Sequence, residues 1–196
     1  MPKVNRSGQA KVLTDSDISK IRRNLRMGHH RLIFDILRYT GERIGAVVQL
    51  EKLDVYDRKG NVRKYITFRA RTRKAAAGLP ARTRQLVIHP SLRESLKSYP
   101  LPKNSPWLFP GQDDPEKEHL LRQTVDAAFR RACAKAGLGE EGISTHSFRR
   151  SLMTRLSAQG VGARTIQKIT DLASLASVQR YIEVDEDQVE NAINLL

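Results

Sequence analysis

A single cysteine in 196 residues excludes a disulfide framework and a cysteine-rich zinc site from the outset. That residue, Cys133, lies in Ala127-Ala128-Phe129-Arg130-Arg131-Ala132-Cys133-Ala134-Lys135-Ala136, which reads as a helix burying a small thiol. No apolar run approaches the roughly 20 residues of a spanning helix, so no membrane partner is expected. The opening residues Met1-Pro2-Lys3-Val4-Asn5-Arg6 carry no apolar stretch of the signal-peptide kind, which makes a reducing cytoplasm the expected compartment. There is no glycine-rich phosphate loop closing on Lys and Ser or Thr, and the five His are too scattered for a metal cluster. His29-His30 is an adjacent pair that reads as polar surface at a helix start. Neither metal nor nucleotide cofactor is called for. Internal repeats and low-complexity segments are also missing.

What is present is positive charge. Lys and Arg number 35 against 21 acidic residues, a net charge of +14, and the field of such a surface selects a polyanion. Arginine is gathered in short runs, among them residues 69–74 and the pair Arg149-Arg150. Spread over loops and strands rather than along one amphipathic helix, these residues favour nucleic acid over lipid. An apolar fraction of 39% with 29% charged residues fits one soluble domain with a sizeable core.

Residues 1–12 are polar and basic with Gly8 and read as a flexible arm, leaving 13–196 as the folded domain. Thr14 or Asp15 caps a helix running to about Met27, with Ile18, Ile21 and Leu25 on one face. Further helices are predicted over 30–39 and 42–50, separated by Gly41. Val55-Tyr56, Tyr65-Ile66-Thr67-Phe68 and Arg84-Gln85-Leu86-Val87-Ile88 read as strands of a small antiparallel sheet. A mobile loop is expected over 75–81, too long for a tight hairpin. Helices are then predicted over 90–98, 121–136, 147–159, 163–172, 174–181 and 185–195, with an irregular proline- and glycine-rich connection over 99–118. Helices, a small sheet, then helices again make an α+β class with a mainly helical body.

Three separated stretches carry the functional signal: Thr40-Gly41-Glu42-Arg43-Ile44, Thr145-His146-Ser147-Phe148-Arg149-Arg150, and Val178-Gln179-Arg180-Tyr181-Ile182. In this order and context the chain resembles the catalytic domain of the tyrosine recombinase (phage integrase) family, over residues 13–196. The resemblance implies a catalytic set of Arg43, Lys74, His146, Arg149 and Tyr181. The family's lysine lies in a β-hairpin, and Lys74 at the end of Arg71-Thr72-Arg73-Lys74 is the candidate, with Arg73 as its rival. It implies a site-specific recombinase that cuts and rejoins duplex DNA through a 3′-phosphotyrosine. A homo-oligomer on DNA, assembled through the terminal helix, is implied too.

The chemistry accounts for these residue types. Cleavage of a phosphodiester builds negative charge on the non-bridging oxygens, which Arg43 and Arg149 can clamp bidentately. Tyr181 would attack in line with His146 accepting its proton, and Lys74 would protonate the departing 5′ oxygen. Arg71, Arg73, Arg150, Lys168 and Arg180, with Arg69 and Arg164, are candidates for phosphate contact.

One departure from the family is plain. Nine residues before its tyrosine the family carries His or Trp, where this chain has Leu172, and Asp171 replaces the box's usual glycine. A missing donor of this kind costs about 2.7 to 4 kcal/mol in the transition state. Two other readings therefore stand beside the recombinase: a non-catalytic, regulatory DNA-binding protein of the same fold, and a nicking-closing enzyme of the type IB topoisomerase kind.

Overall fold

The computed structural model describes residues 10–75, 80–181 and 193–194. Helix α1 (Asp15–Asn24) starts at Thr14, whose Oγ1 accepts from the Asp17 amide at 3.1 Å while the Asp17 carboxylate accepts from the Thr14 amide at 3.1 Å. This reciprocal box satisfies two of the donors that a helix start leaves open. The helix stops short of Met27, because Leu25 turns extended and its carbonyl accepts from Arg31 Nε at 2.6 Å. Helix α2 (Gly28–Thr40) is buried along most of its length and ends on Gly41 at φ 58°, a left-handed cap that glycine takes without steric cost.

Helix α3 (Ile44–Val48) begins two residues later than its apolar pattern suggests. Arg43 is extended, and the Glu42 carboxylate, rather than a helical carbonyl, accepts its amide at 2.8 Å. Val55-Tyr56, expected as a strand, instead follows a 3-10 turn (Lys52–Asp54) and makes only the isolated bridge Tyr56 to Val62. The turn is set by Asp54, which accepts the Glu51 amide at 2.9 Å.

Strands β1 (Tyr65–Phe68) and β2 (Arg84–Val87) form the two-stranded antiparallel sheet, in register from Tyr65 with Val87 to Phe68 with Arg84. The expected loop over 75–81 lies in large part outside the described residues. Helices α4 (Pro90–Lys97), α5 (Arg122–Lys135), α6 (Thr145–Ala158), α7 (Ala163–Thr170) and α8 (Leu175–Gln179) follow. The expected helix over 185–195 lies outside the described residues except at 193–194.

Helix α2 packs on α6, α1 on α5, and α7 on both α6 and α8. Phe34 is the centre of the main core, edge-on to Phe148 at 4.9 Å and to Phe129 at 5.9 Å, the geometry that aromatic quadrupoles favour. A smaller cluster of Met153, Ile166 and Val178 joins α6, α7 and α8, with Leu172 and Tyr181 packed on its side. Mainly helical with one small antiparallel sheet, the architecture is the α+β body that the order of elements implies.

Candidate active site

The site is built where the end of α2 meets the start of α6. A Cβ at Gly41 would stand 2.8 Å from Leu152 Cδ2 and 3.6 Å from the Arg149 Cα, so glycine allows both a left-handed backbone and the close approach of the two segments. Immediately after it, Arg43 is exposed while Glu42 is buried. On α6, His146 and Arg149 are three apart and share a face, His146 exposed in the first turn and Arg149 buried. Beyond the 3-10 turn that follows β1, Lys74 is exposed. A cleft of about 850 Å³ is lined by Arg43, Lys74, His146 and Arg149 together. Arg122 and Arg130 of α5 extend its positive wall, with Asp126 between them.

Arg149 is only 5% exposed. Its Nη2 donates to the Thr170 carbonyl, yet Nε and Nη1 find no hydrogen-bond partner among the described residues. Burial pulls the guanidinium down to about 10; Glu42 opposes this, Arg43 and Arg84 add to it, and a Tyr181 phenolate would oppose it. A buried cation with two open donors is costly unless an anion completes it.

Under the cleft lies an ion-pair network that sequence reasoning missed. Glu42 Oε2 accepts from Arg84 Nη1 at 2.9 Å and from Arg73 Nε at 3.0 Å. Burial pushes the Glu42 carboxyl up, but Arg84, the Arg43 amide and Arg73 outweigh it and hold it below the ordinary carboxylate value. Arg84 also donates to the carbonyls of Thr40 (2.8 Å) and Ile169. Arg73 donates from Nη1 to the Arg82 carbonyl at 2.8 Å and to Asp171 Oδ2 at 2.6 Å. The signal for Glu42 was an acid beside Arg43 at the entry to an apolar helix; Arg84 left only a charge at the head of an apolar strand.

The remaining candidates divide. Arg73, the rival to Lys74, has a side chain only 5% exposed and committed to Glu42 and Asp171, whereas Lys74 reaches the cleft wall. Arg150 donates to the Ala10 carbonyl at 2.8 Å, and Arg69 pairs with Glu51 and Asp54. Arg71 is exposed and paired with Glu51; Arg164, Lys168 and Arg180 are exposed. Tyr181 is not among the residues that line the cleft, although its phenolate would act on Arg149. It is half-buried just past α8, its amide bonded to the Val178 carbonyl at 2.8 Å and its carbonyl accepting from Thr154 Oγ1 at 3.1 Å. Leu172, like Tyr181, packs against the small cluster, and it brings no donor to the site.

Residues 11–188 match the phage integrase family model. The chain belongs to the phage integrase family. Among curated relatives it is similar to tyrosine recombinase XerD of Brucella suis, 31% identical over 53% of this chain and 32% of that protein. It is also similar to tyrosine recombinase XerA of Pyrococcus furiosus, 27% identical over 93% of this chain and 60% of the relative. Its fold is shared with the XerH site-specific recombinase, whose crystal structure is a post-cleavage complex bound to a palindromic difH substrate. That likeness has a TM-score of 0.69 at 23% identity and covers 96% of this chain and 54% of the other. This integrase-family chain thus spans a third to three fifths of the lengths of those relatives, and its fold is that of a tyrosine recombinase catalytic domain.

Proposed function

We propose that this integrase-family domain cuts and rejoins duplex DNA at specific sites by covalent attachment to Tyr181. The observation that carries the reading is Arg149: a buried guanidinium with two open donors, on the wall of a cleft shared with Arg43, Lys74 and His146. A phosphodiester supplies the missing acceptor. Arg43 and Arg149 hold its non-bridging oxygens and stabilise the charge that grows on them during attack. The Tyr181 oxygen bonds to phosphorus as the bond to the 5′ oxygen breaks; the phenolic proton passes to His146, and Lys74 gives one to the departing oxygen. Rejoining reverses each transfer, so the ester stores the bond energy and no nucleotide or metal enters. For this to happen Tyr181 leaves its place on the small cluster and turns into the cleft when DNA is bound. Arg71, Lys168 and Arg180 contact flanking phosphates, and the segment 185–195 docks on a second protomer of the same chain.

The test uses nicked duplexes carrying candidate palindromic sites, which lose the cleaved fragment and trap the covalent state. With chelator present and no nucleotide, an adduct that survives denaturation is expected, with DNA mapped by peptide analysis to Tyr181. Tyr181→Phe should abolish the adduct and keep DNA affinity, because only the phenolic oxygen is removed. An adduct on another tyrosine would refute the assignment. A cognate site that binds tightly and gives no adduct would leave a regulatory DNA-binding protein as the function.

A further inference from the structure

We infer that Asp171 is a positioning residue: its ion pair with Arg73 fastens the hairpin segment that carries Lys74 to the end of α7. The inference rests on the recombinase reading above for the step it serves. Arg73 meets three acceptors from three separate parts of the chain: Glu42 between α2 and α3, the Arg82 carbonyl across the hairpin, and Asp171 at the cap of α7. Its neighbour in sequence, Lys74, lines the cleft. Fixing the Arg73 guanidinium from three sides therefore fixes where the following residue starts.

The Asp171 contact is needed because Glu42 is already shared. Two guanidiniums, those of Arg73 and Arg84, meet the same Oε2 atom, and the Arg73 side chain is 5% exposed. Without Asp171 one buried carboxylate would face both cations, and Arg73 would be left short of charge. Asp171 holds φ 51° and ψ 44° as the cap of α7, a left-handed conformation, at the position where the family usually has glycine. A side chain at this place works against the backbone preference, and what it gains is the bond to Arg73.

Two variants and two substrates test the inference. Asp171→Gly relieves the backbone and Asp171→Asn keeps a residue that tolerates it; both lose the charge. Misplacing a proton donor by about 1 Å costs on the order of 100-fold in rate, and such a loss is expected for single-turnover cleavage by both variants. The second substrate has sulfur in place of the bridging 5′ oxygen. As the phosphorus–sulfur bond breaks, a thiolate leaves that needs no proton from Lys74, since thiols ionise at a pKa of about 8.5. On it both variants, and Lys74→Ala, should recover near wild-type speed. Full cleavage of the ordinary substrate by the variants would overturn the inference, and so would a defect that persists with sulfur. Hydrogen exchange supplies an arm independent of cleavage. The amides of Thr72 and Arg73, bonded to the Arg69 and Ala70 carbonyls at 3.0 and 3.1 Å, should exchange faster in Asp171→Asn, and unchanged rates would refute the fastening. A wild-type protein that never cleaves would instead count against the recombinase reading, with the exchange result still deciding the ion pair.

Discussion

Arg149 pays for its place in the fold, since burial penalises its charge and only one of its nitrogens reaches a carbonyl. Removing it should therefore cost the fold little and the chemistry much. Arg149→Ala is expected to change stability by no more than about 1 kcal/mol and to slow cleavage by about 100- to 1000-fold, the usual loss for one donor to a developing oxyanion. Arg149→Lys should recover little, because an ammonium lacks the planar fork that presents parallel donors to phosphate oxygens. Thermal melts beside single-turnover cleavage check both, and an unfolded Arg149→Ala would show the residue to be a strut. Arg43, Lys74, His146 and Arg149 were legible through the resemblance to the recombinase family, carried by short stretches in a set order, and the structure brings these four to one cleft. Glu42 and Arg84 were not legible as partners. Ion pairs that join residues 42 apart leave no period or spacing to read. Leu172 was visible as a departure, but its packing beside Met153, Ile166 and Val178 could be learned only from the folded chain.

At the scale of elements, the strongly periodic helices were legible and the short ones were not. The apolar faces of α1, α2 and α5 gave their existence, whereas the starts of α3 and α6 depend on side chains that compete for backbone amides. Val55-Tyr56 had the composition of a strand, yet the turn fixed by Asp54 leaves it only one bridge. The start of α2 should give a pH response that its polar appearance hid. His30, expected on the surface, is 8% exposed with Nε2 lacking a partner among the described residues. Burial, with His29 and Arg131 adding to it, brings its pKa down to about 4. A histidine depressed in the folded state binds its proton more readily when unfolded. Its contribution is therefore full above the unfolded value of about 6.5 and is lost as pH falls towards 4. His29 is lowered by burial as well, while Glu42 and Asp17, held low by their partners, make themselves felt only below the ordinary carboxylate range. Melting temperature should decline from pH 6.5 to 4.5, and His30→Leu should flatten that decline. An equal slope in the variant would place the response elsewhere.

For the molecule as a whole, the 35 Lys and Arg residues overstate the cations free to meet a polyanion. Arg22, Arg69, Arg73 and Arg84 are spent on internal carboxylates. Of the candidates for phosphate contact, Arg71, Arg164, Lys168 and Arg180 are exposed, with Arg43, Lys74 and Arg149 in the cleft. If each of these meets one phosphate, the logarithm of duplex affinity should fall against that of salt with a slope of about −6. Fluorescence anisotropy across a salt series measures it, and affinity indifferent to salt would refute the DNA interface. The stretch just before α1 adds a different property. Arg150 holds the Ala10 carbonyl, Lys11 donates its amide to the Gly142 carbonyl, the Leu13 amide meets Ser151 Oγ at 2.7 Å, and Arg155 donates to the Leu13 carbonyl. These attachments cluster on α6 and the loop before it, the same helix that presents His146 and Arg149. Mechanical tension applied at residue 10 is therefore borne first by α6, so a load tethered there would pull on the helix that presents His146 and Arg149 before it strained the hairpin.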